Sequence, residues 1–179
     1  MPDARPGGSD LRLEAPPTVS EVKDEAGTRG IEVVFAAPAA PDDLLGLLWD
    51  VGNFPRLFPD IKDYRVVGQG EGSPPLSLDI SYRIDAVVRE LSYVLRRVLD
   101  SEGRSITWKE LSGDLRRVRG GWWVAATDRP DVSVATYRAF VDVGRFVPTA
   151  LIAKAARKKA AEMVARVRSV AADPRAGER

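Results

Sequence analysis

Apolar and polar residues alternate along most of the chain, which is typical of strands that bury one face. The segment 29–39 places Ile31, Val33 and Phe35 on one face, and the segment 76–85 repeats that spacing. Later segments alternate in the same way and are separated by turns rich in Gly, Asp and Pro. Together they predict about seven antiparallel strands, at 29–39, 64–67, 76–85, 90–100, 105–111, 115–127 and 132–143.

Helical spacing occurs at three places, and two of these segments are short. Pro41 and the two carboxylates after it suit the start of a helix whose apolar stripe ends at Val51. Phe54 and Phe58 lie four residues apart and predict a second short helix. A much longer helix begins near Pro148, and its inner stripe consists of Ile152, Ala156, Ala160, Met163, Val167 and Val170.

The order of these elements predicts one α+β domain. Two short helices follow the first strand, the other strands follow one another, and the long helix closes the chain. A curved antiparallel sheet can wrap around such a helix across its concave face, leaving space for a cavity.

The two ends of the chain differ in composition from this domain. Residues 1–28 contain several prolines and glycines among mixed charges, which predicts a disordered tail. The alternative is that part of this segment lies on the domain through apolar residues such as Val19 and Val22. We therefore expect a domain at 29–172 and a second disordered tail at 173–179.

The absence of Cys and His removes several classes of chemistry. Disulfides, zinc sites of the Cys/His type, histidine bases and thiolate nucleophiles are all excluded. The sequence also lacks a glycine-rich phosphate-binding loop of the Walker type, so we expect neither a metal nor a nucleotide cofactor.

Charge and hydropathy bear on partners and location. Lys and Arg number 27 against 26 Asp and Glu, which gives no overall basic excess and argues against nucleic-acid binding. The sequence shows neither a signal peptide nor an apolar run long enough to cross a membrane. We therefore predict a cytoplasmic protein without stable membrane insertion.

Six segments of the chain match, in order, the pattern of a known superfamily. They are the strand 31–39, the helix 42–51, the turn NFPRLFPDI at 53–61, GGWWV at 120–124, the strand 134–142, and FVPTALIAKAA at 146–156. In this order the chain resembles the START-like helix-grip (SRPBCC) superfamily over about residues 29–172. Within the superfamily it is most similar to the polyketide cyclase/dehydrase and coenzyme Q-binding branch.

The resemblance implies a seven-stranded sheet around the C-terminal helix, with an apolar cavity between the sheet, that helix and the loop carrying Phe54 and Phe58. Trp122 and Trp123 are adjacent on a strand, so only one of the two rings can line such a cavity. The alternative for each aromatic side chain is a core position without a ligand. The predicted lining residues are Phe54, Phe58, Tyr82, Tyr93, Trp108, Trp122, Tyr137, Ile152, Ala156 and Met163.

Basic side chains supply two further candidate features. Arg97 and Arg119 are possible inward anchors for an oxygen atom of a ligand, and the alternative is a solvated face paired with acidic residues. The basic face of the last helix, which includes Arg157 and Lys158, could meet an anionic membrane surface transiently, or could simply be solvated.

The sequence leaves three hypotheses about function. The leading one is a non-catalytic protein that binds or carries a hydrophobic small molecule, such as a lipid, an isoprenoid quinone or a polyketide. The second is an enzyme of the polyketide aromatase/cyclase type, in which an inward Arg or Tyr polarises a carbonyl group during aldol closure and dehydration. The third is a protein-interaction module with a filled core.

Overall fold

A computed structural model of the protein describes residues 12–85, 90–142 and 149–173, with the side chains of the last range described from residue 157 onward. The segments 1–11 and 174–179 of the predicted tails lie outside the described residues. So do the predicted helix start at Pro148 and the side chains of Ile152 and Ala156.

The described residues form one antiparallel sheet of eight strands in the spatial order β1-β2-β8-β7-β6-β5-β4-β3. Neighbours along the chain are neighbours in the sheet except for the step from β2 to β3, where the two short helices intervene. The strands are β1 Thr18–Lys23, β2 Arg29–Ala37, β3 Ile61–Gln69, β4 Ser77–Asp85, β5 Glu90–Asp100, β6 Ser105–Gly113, β7 Arg117–Ala126 and β8 Ser133–Asp142.

The predicted helices are present at the expected places. Helix α1 spans Pro41–Trp49, and its first turn carries a proline and two carboxylates that suit the positive end of the helix dipole. A 3-10 turn leads into the short helix α2, Phe54–Leu57. The long helix α3 spans Thr149–Ala171. The α+β fold, with two short helices after the strand 29–37 and one closing helix, is therefore confirmed.

Strand β1 lies within the segment that the sequence predicts as a tail. Residues 18–23 pair with β2 in antiparallel register, with Val19 opposite Val33, and the side chain of Val19 packs against the core. The strand forms because β2 offers a free edge and Val19 can share its buried face. The sheet accordingly has eight strands where about seven were expected, and residues 18–23 belong to the domain.

Helix α3 packs on the inner face of the sheet at strands β1 and β2, mostly through small and β-branched side chains. Ala160, Met163, Val167 and Val170 are buried, as their helical spacing predicts, and Val164 is buried with them. The helix contacts β1, β2 and α2. The side of the sheet that faces α1 and α3 is called the concave face below, and the opposite side the convex face.

Candidate functional site

Aromatic side chains from several strands share the concave face. Tyr64 on β3 lies opposite Tyr82 on β4, and Tyr82 lies opposite Tyr93 on β5. On the other half of the sheet, Trp122 of β7 lies opposite Tyr137 of β8. Because directly paired residues of antiparallel strands project to the same side, the register sets up two groups of touching rings.

The first aromatic cluster consists of Phe54, Phe58, Tyr64, Tyr82 and Tyr93. The ring centroid of Phe54 lies 5.7 Å from that of Phe58, 5.2 Å from that of Tyr64 and 6.0 Å from that of Tyr82. Tyr82 stacks on Tyr93 with centroids 5.6 Å apart. Phe54, at the start of helix α2, therefore packs on tyrosines of neighbouring strands, and Phe58, directly after the helix, packs on Phe54.

The second aromatic cluster consists of Phe35, Trp108, Trp122 and Tyr137. Trp122 meets Tyr137 at 4.7 Å between centroids and Phe35 at 6.3 Å, and Trp108 lies 5.7 Å from Tyr137. Gly120 makes this arrangement possible, since a Cβ atom there would lie 2.8 Å from the Trp108 ring. The glycine lets the indole lie across β7 and reach β8.

Arg97 on β5 is buried beside the first aromatic cluster. Its Nη2 donates a hydrogen bond to the carbonyl oxygen of Leu48 at 2.7 Å, and its Nη1 donates to that of Trp49 at 3.4 Å. The guanidinium carbon lies 4.9 Å from the ring centroid of Phe54 and 5.2 Å from that of Trp49. The charge is therefore held between two aromatic faces and the end of helix α1.

These contacts satisfy backbone groups that helix α1 leaves free. The last carbonyls of a helix have no partner within it and carry its negative dipole end. Arg97 occupies two of them, and the side chain amide of buried Asn53 donates to the carbonyl of Leu47 at 3.0 Å. Burial lowers the pKa of Arg97, which still stays protonated because a guanidinium is so strong a base. Among the described residues no carboxylate forms an ion pair with Arg97.

Three tyrosine hydroxyls are further polar groups of the concave face. Burial raises the pKa of Tyr93 to about 12, and it raises the pKa values of Tyr82 and Tyr137 as well. All three hydroxyls are consequently protonated at neutral pH and can donate a hydrogen bond. None of them donates a hydrogen bond to another residue in the part of the chain that the structure describes.

The predicted lining residues with described side chains lie together in the structure. All eight belong to the core cluster or pack against it, on the side of the sheet that faces the helices. Ile152 and Ala156 are part of helix α3, but their side chains lie outside the described residues. The eight are Phe54, Phe58, Tyr82, Tyr93, Trp108, Trp122, Tyr137 and Met163.

The two arginines predicted as anchors do not converge. Arg97 points to the concave face, but Arg119 lies on the convex face, where its guanidinium pairs with Asp24 at 2.6 Å and lies 5.9 Å from the Phe140 ring centroid. Trp123 also lies on the convex face, beneath Arg138. Arg119 is therefore excluded from the candidate site by the alternation of β7.

Three members of the site are not among the predicted residues. Phe35, Trp49 and Tyr64 complete the two clusters and the cover of Arg97. The alternation of the first predicted strand already puts Phe35 on its buried face, so this residue could have been predicted from the sequence. The positions of Trp49 and Tyr64 depend on how helix α1 packs on the sheet and how the edge strand β3 pairs with it. The local sequence pattern does not predict either.

Two features are absent from the part of the chain that the structure describes. No group of three or more acidic, His or Cys side chains suitable for a metal ion occurs among its residues. In the same part of the chain, no helix has the length and apolar character needed to span a membrane.

The family comparison agrees with this architecture. A family model described as "Polyketide cyclase / dehydrase and lipid transport" matches residues 37–168, which is more than half of the chain. The match includes α1, α2, the strands β3 to β8 and most of α3. No curated protein matches the chain in sequence.

Solved structures with the same fold include a STAR-related lipid transfer protein and an aromatase/cyclase. Human STARD10 matches with a TM-score of 0.69 at 14% identity, over 94% of this chain and 74% of that one. The STAR-related lipid transfer protein from Xanthomonas axonopodis matches with a TM-score of 0.68 at 16% identity, over 94% and 100%. The Zhui aromatase/cyclase from Streptomyces sp. R1128 matches with a TM-score of 0.57 at 21% identity, over 80% and 88%. These structures share the predicted helix-grip fold.

Proposed function

The chain belongs to the polyketide cyclase/dehydrase and lipid transport family, and we propose that it binds a hydrophobic small molecule between the concave face and helix α3. The candidates are a lipid, an isoprenoid quinone and a polyketide. We propose that the protein sequesters or carries this ligand without changing it chemically.

The observation that carries the proposal is the presence of two aromatic clusters on one face of the sheet. Phe58, Tyr93, Trp108 and Tyr137 pack against the core but are not fully buried, so they leave ring surface for a ligand. Aromatic surface with a few polar groups is the usual lining of small-molecule sites. Each Å² of apolar ligand surface removed from water contributes on the order of 25 cal/mol to affinity.

A second candidate is catalysis of the aromatase/cyclase type, which the Zhui neighbour carries in its name. One observation favours it, namely that the buried guanidinium of Arg97 lies 4.9 Å from the ring centroid of Phe54, which itself stacks on Tyr82 at 6.0 Å. A carbonyl oxygen placed near both groups would gain negative charge as an enolate forms, and fixed donors stabilise such charge. Arg97 is, however, already bound to helix α1, so we rank binding first.

Native mass spectrometry of the purified full chain, beside its denatured spectrum, tests the proposal. Organic extraction identifies any small molecule that co-purifies, and the delipidated protein is then titrated with a phospholipid, an isoprenoid quinone and an aromatic polyketide. We expect one bound molecule per chain, released on unfolding. A protein that is empty and forms no complex with any of the three would overturn the proposal and favour a protein-interaction module.

Matched variants locate the binding. Phe58→Ala removes a partly buried ring from the first aromatic cluster. Arg96→Ala is the control, because Arg96 lies on β5, as Tyr93 does, but on the convex face, where it pairs with Asp79. We expect weaker binding only for Phe58→Ala. For the catalytic candidate, the polyketide is incubated with the protein and its mass is followed, because aldol closure with dehydration removes one water molecule.

A further inference from the structure

We propose that two copies of the chain associate by pairing their β1 strands edge to edge in antiparallel orientation. The two-fold axis lies at Val22, and Glu21 of each copy lies opposite Lys23 of the other. This inference concerns a surface away from the concave face and does not depend on the proposed ligand. Strand β1 also lies outside residues 37–168, which the family model matches.

The two edge strands of the described sheet, β1 and β3, differ in how well they are protected from another strand. Strand β3 departs from regular pairing with β4 at two places and carries the charged side chains of Lys62, Asp63 and Arg65. Bulges and charges on an edge strand hinder pairing with another chain. Strand β1 pairs with β2 at all six of its positions without a register shift, and it consists mainly of Thr, Val and Ser. The edge that is open to a further strand is therefore β1.

The backbone groups that β1 leaves free follow from the ladder that it forms with β2. The N–H of Asp24 donates a hydrogen bond to the carbonyl oxygen of Thr28 at 3.0 Å, where this ladder begins. Because hydrogen-bonded pairs alternate along an antiparallel ladder, the even-numbered residues of β1 bond to β2. The N–H and C=O groups that point to the open edge belong to the odd-numbered residues, Val19, Glu21 and Lys23.

The two charged side chains of β1 are available to a second copy. Glu21 and Lys23 are both exposed, and neither forms an ion pair with another residue in the described part of the chain. They lie two positions apart, so they project from the same face of the strand. The strand thus presents one negative and one positive charge side by side at its open edge.

These charges select the register of the pair. The alternation of backbone groups allows the two-fold axis to lie at Ser20, Glu21 or Val22. An axis at Glu21 would oppose the two Glu21 carboxylates, and an axis at Ser20 would place Glu21 opposite Val19. An axis at Val22 places Glu21 opposite Lys23 twice, and each of these pairs exchanges its backbone hydrogen bonds. Directly opposed side chains of opposite charge stabilise a strand pair, whereas like charges destabilise it, so the axis lies at Val22.

Sedimentation velocity of the full chain over a concentration series tests the inference. A single pair of short strands is at the low end of interface sizes, so we expect a weak dimer that grows with protein concentration. Glu21→Lys and Lys23→Glu each replace two attractive pairs by two repulsive ones and should weaken the dimer at least about 4-fold. The double variant Glu21→Lys, Lys23→Glu restores both pairs with reversed signs and should dimerise as the original chain does.

Two variants at other places are the controls. Glu102→Lys makes the same change of charge in the exposed turn between β5 and β6, and Arg65→Glu alters the opposite edge of the sheet. Neither should change the dimer. Urea unfolding at a concentration where the chain is monomeric should give the β1 variants the stability of the original chain, because the exposed charges of β1 have no partner among the described residues.

Amide hydrogen exchange measured by NMR tests the pairing residue by residue. In the monomer the N–H groups of Glu21 and Lys23 point away from β2, whereas those of Ser20 and Val22 are bonded to it. We expect exchange at Glu21 and Lys23 to slow at high protein concentration, and exchange at Ser20 and Val22 to change less.

Three results would overturn the inference besides a chain that stays monomeric at every concentration. The first is a dimer that survives both single charge reversals. The second is a dimer that Arg65→Glu weakens, since this would assign the contact to β3. The third is a dimer that the double variant fails to restore, since this would rule out the pairing of Glu21 with Lys23.

Discussion

The guanidinium of Arg97 caps helix α1 by donating a hydrogen bond to the carbonyl oxygen of Leu48 at 2.7 Å. This contact joins the middle of the sheet to the helix that follows β2, across 49 positions in sequence. The same side chain lies against Phe54, the first residue of α2. One buried arginine thereby positions both short helices next to the aromatic clusters.

Arg97→Met should destabilise the protein by about 2–4 kcal/mol, because buried carbonyls lose charged donors that an apolar side chain cannot replace. Urea unfolding measures the change. The neighbouring Arg96→Met is the matched control, since Arg96 pairs with Asp79 on the convex face in an exposed ion pair whose loss should cost less than about 1 kcal/mol. Equal effects of the two substitutions would contradict the capping role.

Three tyrosines should ionise at a higher pH in the folded protein than in the unfolded chain. Burial holds the pKa values of Tyr82, Tyr93 and Tyr137 above the ordinary 10.0. The folded state therefore keeps protons that the unfolded chain loses, so its stability is complete below pH 10 and falls as the pH rises above it. Near-ultraviolet absorbance of tyrosinate, with Tyr→Phe variants for assignment, checks this. Three tyrosines that titrate as they do in urea would show that the rings are exposed.

Asp24 should contribute to acid sensitivity. Its burial would raise its pKa, but hydrogen bonds from Arg119 and the Thr28 N–H outweigh that effect and lower the pKa to about 2, against an ordinary 3.8. The stabilisation is therefore present above about pH 4 and is lost as the pH falls from 4 towards 2. Unfolding midpoints in urea for Asp24→Asn should vary less with pH across this window, whereas Glu25→Gln, on an exposed neighbour, should behave like the original protein.

Replacement of two glycines by alanine should change the stability of the protein in opposite directions. A Cβ atom at Gly46 on helix α1 meets no atom within 4 Å, so Gly46→Ala should stabilise by about 0.5–1 kcal/mol through helix propensity. Gly120→Ala would place a methyl group against the Arg138 carbonyl and the Trp108 ring, and should destabilise by at least about 1–3 kcal/mol. Thermal unfolding of both variants measures this, and a tolerated Gly120→Ala would contradict the placement of Trp108.

The alternation of the sequence predicts much of the fold because most strands have one buried face. It places Arg97 on the face shared by Leu95 and Tyr93, and the structure agrees. The same rule predicts that Arg119 points outward, because it lies three positions, an odd number, before the inward Trp122. The position of a charged residue in its strand, and not the chemistry of its side chain, decides which face it occupies.

Other features depend on contacts between distant segments. Strand β1 has a tail-like composition around it and gains its order from pairing with β2, which only the assembled sheet provides. The link from Arg97 to Leu48 and Trp49 is of the same kind, because a strand residue and a helix end meet through tertiary packing. The local sequence pattern predicts neither the pairing of β1 with β2 nor the contacts of Arg97 with helix α1.

Fluorine NMR of the full chain labelled with 5-fluorotryptophan tests most directly whether a ligand binds on the concave face. Trp108 and Trp122 lie on that face and Trp123 on the other, and Trp→Phe variants assign their resonances. On titration with a short-chain isoprenoid quinone, we predict that the Trp108 and Trp122 resonances shift and that of Trp123 does not. A shift confined to Trp123, or no shift in any resonance, would contradict the account.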